Sequence, residues 1–252
     1  MSPGIVFNIE LGTLPPGVVR IVLGPILKKL TPVRGRPLMG GPRVPVRVNW
    51  TASLGINPPL ILTMDYGMLV TAVLAENRQV LEAVNPEEVE RFIQEILKAK
   101  TIHLYAMGRM QLSVRAFAMR LKHMGIETYV VYDTTSPQIG PGDLLIGHCS
   151  VTIVELNVVR LAKAAGARVA LLTAHPENEH GKLADLCVRV PGQIFGGPEE
   201  VKSIQPMASL LEQALFLFTD IVVIMLIERK GVSVAAMQKS HTNLEGLPHS
   251  FA

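Results

Sequence analysis

Apolar positions from 101 to 106 fall at Ile102, Leu104 and Ala106, and after Gly108 they recur at helical spacing as Leu112, Ala116, Met119, Leu121 and Met124. That pattern predicts a strand, a glycine turn and an amphipathic helix with those five side chains inward. A helix that leaves a buried strand directly aims its free N–H groups, and the positive end of its dipole, above the sheet edge, where a phosphate is readily held. The same alternation continues downstream. Strands are predicted over 127–132, 143–148, 167–173 and 186–190, and helices over 153–165, 179–184, 207–229 and 233–241, with Gly-, Pro- and Thr-rich loops at 134–142 and 191–206. Upstream, two helices are expected over 68–84 and 86–98; the second has Asn85 as N-cap, Pro86 at its first position and Glu87 and Glu88 in its first turn. Short Val/Ile/Leu-rich strands alternating with helices give an α/β fold, a three-layer α/β/α sandwich on a five-stranded parallel sheet with right-handed connections.

Residues 1–63 follow a different rule. They hold ten of the 18 prolines, eight glycines, seven Lys or Arg and a single acid, Glu10. So many prolines exclude helices and central strands, which predicts a poorly ordered basic extension rather than a second core, with Met64 as the natural start of the folded part. A nucleic-acid-binding arm is the competing reading. It lacks aromatic residues interleaved with the charges, so nucleic acid is not the expected partner.

The remainder of the 252 residues, 48% hydrophobic with net charge +3, suffices for one core. The longest apolar run, 215–227, contains Asp220 and is shorter than the roughly 20 residues of a bilayer span, so it is expected as a buried helix and no membrane association is expected. Nothing at the amino terminus reads as a basic segment followed by an apolar one and a cleavage site, which makes the cytoplasm the expected location. Cys149 and Cys187 have neither disulfide nor metal-ligand spacing.

From Met64 to Glu245 the chain resembles the sugar isomerase (SIS) domain family, in its 6-phospho-3-hexuloisomerase branch. The resemblance rests on Arg115-Ala-Phe-Ala-Met-Arg-Leu121 with His123 and Gly125, Thr134-Thr-Ser-Pro137, Gly142-Asp-Leu-Leu145, Ala162-Lys163, Gly166-Ala167 and Ala184-Asp185. Ser203-Ile-Gln-Pro-Met207, Leu211-Glu-Gln-Ala214 and the closing His241-Thr-Asn-Leu-Glu245 complete it, and the first and last of these point to the hexuloisomerase branch. It implies a SIS-like, flavodoxin-like sheet over 64–252 and isomerisation of 3-hexulose 6-phosphate to fructose 6-phosphate through an enediol, as in the ribulose monophosphate pathway. It further implies no metal or other cofactor, and a homo-oligomer built as a dimer of dimers. The alternative is a catalytically silent sugar-phosphate-binding domain in a regulatory or scaffolding role.

Glu212, on an otherwise apolar helix turn, corresponds to the family's proposed base; the competing reading is a carboxylate satisfied by an Arg or a helix N-terminus. His241 is a candidate for ring opening or proton shuttling, if need be across a subunit boundary. The expected phosphate and sugar contacts are Gly108, Arg109 and Gln111 after the first strand, and Cys149, Ser150 and Thr152 after the third. Both loops depart from the family: Gly108-Arg109-Met110-Gln111 replaces Gly-Arg-Ser-Gly, and Cys149-Ser-Val-Thr152 replaces a longer hydroxyl-rich cradle, so phosphate binding is expected to be weaker. His103, His123, His148, His175 and His180 are expected to be structural, although His148 ends a strand where ligands gather in open sheets.

Overall fold

The computed structural model describes residues 64–148 and 152–245. The basic extension expected over 1–63 lies outside them, as do Cys149 and Ser150. Two helices come first. α1 (Tyr66–Glu82) is capped by Asp65, whose carboxylate accepts from the Met68 N–H, and α2 (Pro86–Lys98) starts at Asn85 as the sequence indicates, the Asn85 side chain accepting from the Glu87 N–H. The sheet follows: β1 (Ile102–Ala106), α3 (Met110–His123), β2 (Thr128–Val130), β3 (Leu144–His148), α4 (Ile153–Ala164), β4 (Arg168–Thr173), α5 (Glu179–Leu183) and β5 (Leu186–Arg189). Long α6 (Ser209–Lys230), short α7 (Val234–Lys239) and a 3₁₀ turn at Asn243–Glu245 close the described chain.

All strand pairs are parallel and the spatial order is β2-β1-β3-β4-β5. The chain leaves β1 in one direction to form β2 and returns on its other side as β3, so the topological switch lies between the carboxyl ends of β1 and β3. Alternate residues of the strands face opposite layers. Leu104, Ala106, Leu144, Ile146, Ala170 and Leu172 join the larger core under α2, α3 and α6, whereas Leu145, Val169 and Leu171 meet Val158, Val159 and Ala162 of α4. Gly147 makes the second packing possible, because a Cβ there would lie 2.7 Å from Leu171 Cδ2.

The structure corrects three expectations. The inward stripe of α3 is Met110, Ser113, Val114, Phe117 and Leu121, while Leu112 and Met119 are exposed. Both stripes have helical spacing; the one carrying Phe117 faces the sheet because it removes more apolar surface from water. β2 is three residues long rather than six, ending before Tyr132, which takes a positive φ of 71°. Met207 also has positive φ, 56°, so α6 begins two residues later than expected. At 22 residues α6 has the length and hydropathy of a membrane span, longer than its apolar run suggests, yet half of its most apolar window is buried in the protein.

Candidate active site

Among the described residues, five of the seven α-helices have a side-chain N-cap: Asp65, Asn85, Thr152, Asn178 and Ser233. The other two, α3 and α6, start at Arg109 and Ala208 with no side-chain cap. These two helices meet at the carboxyl end of the sheet. Arg109 Nη1 donates to Glu212 Oε2 at 2.5 Å and to Ser209 Oγ at 3.1 Å, joining the turn after β1 to the first turn of α6 across 103 residues of sequence. Gly108 makes the turn with φ 56°, a left-handed conformation that Gly adopts without steric cost.

Two expected site residues, Arg109 and Glu212, therefore bind each other. The Glu212 side chain is largely enclosed, 16% exposed, whereas Arg109 is 55% exposed and open to a ligand. Glu212 lies in the first turn of α6, where the helix dipole favours its charge. The competing reading of Glu212, a carboxylate satisfied by an Arg and a helix N-terminus, is thus what the structure shows in the free protein. Gln111 lies in the first turn of α3, partly exposed, with its N–H given to the Gly108 carbonyl at 3.1 Å. Met110, where the family has a serine, sends its side chain into the core at 5% exposure.

Thr152 has a different occupation from the one expected. Its hydroxyl accepts from the Glu155 N–H at 3.3 Å and donates to Glu155 Oε2 at 3.0 Å, while its own N–H donates to the same oxygen at 2.8 Å. The group that resembled a phosphate donor is the N-cap of α4, in a reciprocal capping box. Its carbonyl is taken as well, by His180 Nε2 at 2.8 Å.

His241 is not brought to this site within one chain. Its ring lies 5.1 Å from that of His123, the last residue of α3, and Arg109 lies at the other end of that helix, roughly 20 Å away for 14 residues at 1.5 Å each.

The sequence marks His148 as structural, at a strand end where ligands gather in open sheets. It ends β3 at the switch point, fully buried, with Nδ1 2.9 Å from Ser113 Oγ. Because the Ser113 hydroxyl donates to the Met110 carbonyl at 2.8 Å, it accepts from His148, so Nδ1 carries the proton and Nε2 is left without a partner among the described residues. Burial pushes the pKa of this imidazole from 6.5 down to about 3. The pair fastens the end of β3 to the first turn of α3. No signal in the sequence connects Ser113 to a residue 35 positions away.

No family model matches the chain. It is 36% identical over 183 residues to the 3-hexulose-6-phosphate isomerase of Bacillus subtilis, a match spanning 70% of this chain and 97% of that protein. To the 3-hexulose-6-phosphate isomerase of Mycobacterium gastri it is 34% identical over 164 residues, 64% of this chain and 82% of that one. Among solved structures it is similar to a Methanococcus jannaschii protein whose crystal structure infers the function of 3-hexulose-6-phosphate isomerase, with 26% identity, a TM-score of 0.62 and coverage of 70% of this chain and 98% of that one.

Proposed function

We propose that this chain, which belongs to the 3-hexulose-6-phosphate isomerase family, isomerises 3-hexulose 6-phosphate to fructose 6-phosphate, with Glu212 as the base of that reaction. The carbonyl moves from C3 to C2. A base takes the proton from C2, the electrons of that C–H bond form the C2=C3 bond of the enediol, and the former carbonyl oxygen on C3 takes up a proton. As the hydroxyl on C2 gives up its proton, the carbonyl re-forms there and a proton returns to C3. In this reading Glu212 carries the proton between the two carbons. Arg109, held against it in the free protein, gives its planar fork of donors to the developing oxyanion or to the phosphate and so frees the carboxylate. Gly108, Arg109 and Gln111 at the uncapped start of α3 receive the phosphate together with Cys149 and Ser150 of the loop after β3. Thr152 contributes by holding the start of α4.

The observation that carries this proposal is the 2.5 Å contact between Arg109 and Glu212 at the carboxyl end of the sheet. A coupled assay of fructose 6-phosphate formation on wild type and Glu212→Gln tests it. Loss of turnover by about a hundredfold or more is expected for removal of a general base, and equal turnover in the two proteins dismisses Glu212 from the role.

We further propose that the enzyme works as a homo-oligomer. α6 keeps Leu217, Ile221 and Ile224 exposed at spacings of four and three on one face, and α1 beside it exposes Tyr66, Leu69 and Leu74. A second copy of the chain is the occupant this proposal assigns to that surface. In such an assembly His241, remote from Glu212 in its own chain, has a route to the site of a neighbouring copy.

A further inference from the structure

Glu76 on α1 is the origin of a long chain of polar contacts. Its carboxylate accepts three hydrogen bonds from the loop that leads into α6: Ser203 Oγ at 2.7 Å, the Ile204 N–H at 2.8 Å and Gln205 Nε2 at 3.0 Å. Gln205 Oε1 accepts from Gln213 Nε2 at 2.7 Å, and Gln213 Oε1 accepts from Asn77 Nδ2 at 2.8 Å. Asn77 adjoins Glu76 and is buried, its amide also donating to the Val73 carbonyl at 2.9 Å. The contacts thus run from α1 through the loop to α6 and back to α1.

The chain of amides has a direction, and one residue sets it. An ionised carboxylate only accepts, so Gln205 must turn its NH₂ toward Glu76 and its oxygen toward Gln213, which fixes Gln213 in turn against Asn77. What this arrangement holds is the approach to Glu212. Between Gln205 and α6 the backbone passes through Met207, a non-glycine residue at φ 56° with its side chain exposed, and then Ala208, which has no side-chain cap. Bonds elsewhere must hold such a conformation in place. The Glu76 clamp supplies them on one side of the turn, and Gln213, the neighbour of Glu212, on the other.

We infer that Glu76 is a positioning residue for the isomerase site: through the 203–205 loop and the Gln205–Gln213 pair it sets the first turn of α6 and the place of the Glu212 carboxylate. This rests on Glu212 being the base. The test measures kcat, KM and thermal melting for full-length wild type, Glu76→Gln, the double variant Glu76→Gln with Gln213→Glu, and Glu212→Gln. In Glu76→Gln the amide oxygen stays on the Ile204 N–H, so the amide NH₂ faces that of Gln205; Gln205 and Gln213 then flip, and Gln213 turns its NH₂ on that of Asn77, which its bond to the Val73 carbonyl holds in place. Adding Gln213→Glu removes the clash. The amide nitrogen introduced at position 76 then donates to Gln205 Oε1, Gln205 donates to the carboxylate introduced at position 213, and Asn77 donates to that carboxylate as well. The chain from α1 to α6 and back is closed again, with its charge at the other end.

Expected is a loss of kcat of roughly ten- to a hundredfold in Glu76→Gln, the scale of a misplaced catalytic group, with KM and melting temperature little changed. The double variant is expected to recover to within about threefold of wild type, since the two sites are coupled. A Glu76→Gln enzyme with wild-type kcat overturns the inference, and so does a double variant no better than the single one; a Glu76→Gln protein whose kcat falls only together with its melting temperature overturns it too, because the loss is then one of stability and not of placement. Wild-type turnover in Glu212→Gln identifies a failure of the base assignment instead, whatever the other three proteins do.

Discussion

His148 is neutral because the site around it is dry, and that has a consequence for stability. Its native pKa, about 3, lies below the 6.5 of an exposed imidazole, so in the window between those values the unfolded chain binds a proton that the native state does not. Stability therefore falls as pH drops through 6.5 and goes on falling toward 3. Between pH 7.5 and 5.5 this single group is expected to remove about 1.4 kcal/mol of unfolding free energy. Urea unfolding of wild type and His148→Met at the two pH values isolates it, because His103, whose pKa burial also lowers, and the carboxylates are common to both proteins. The wild type should lose about 1.4 kcal/mol more than the variant; equal losses would mean that His148 is solvated or charged in the native state. Side chains of this kind were the least legible in the sequence. Glu212 stood out as a carboxylate among apolar residues and Arg109 by its place after a glycine turn, whereas Ser113 and Glu76 act through partners 35 and more than 120 residues away, and no local pattern records such distances.

At the scale of elements, a helix start written in adjacent residues was legible, whereas the buried face of a helix and the points where the backbone takes a positive φ, at Tyr132 and Met207, were not. Asn85 and Pro86 start α2 because cap and first-turn preferences are written in adjacent residues. The buried face of α3 could not be read in that way, since two apolar stripes of the same spacing compete and only the sheet decides between them. Thr152 shows the same limit from the other side: a hydroxyl at the start of a helix after a strand suits a phosphate cradle and a helix cap equally well, and Glu155 three residues on marks the cap. The prediction that separates the two roles is one of stability. Thr152→Ala takes away a hydroxyl that both accepts from the Glu155 N–H and donates to the buried Glu155 carboxylate, and should lower the unfolding free energy by about 1 kcal/mol, with Thr152→Ser close to wild type. A Thr152→Ala protein of unchanged stability that binds fructose 6-phosphate more weakly would return the hydroxyl to the cradle.

For the whole molecule, the question is what covers α6. The helix is too apolar for its position if one chain is the final state: Leu210, Leu211, Ala214, Leu215, Phe218, Val222 and Leu226 face the core, and Leu217, Ile221 and Ile224 line its outside, Ile224 at 67% exposure. An amphipathic surface helix would carry more charge there than Asp220, exposed between Leu217 and Ile224, and a helix apolar on nearly all other sides is one that expects a second cover. A lipid surface is the competing cover for a helix of this length. It sits poorly with Arg229 pairing with Glu90 at 2.7 Å at the carboxyl end of α6 and Arg109 meeting Glu212 at its amino end, both of which fix α6 to its own domain. A second copy, apposing α6 and α1 about a twofold axis, would bury the stripe against itself, the self-complementary arrangement by which most homo-oligomers form. Ile224→Glu places a like charge on both sides of such an axis. Light scattering at micromolar concentration should find the wild type as a dimer or larger and Ile224→Glu shifted toward monomer, with the single chain still folded because Ile224 contributes little to its core. A wild type that is monomeric under these conditions would sink the assembly proposal, and with it the route by which His241 reaches a neighbouring site.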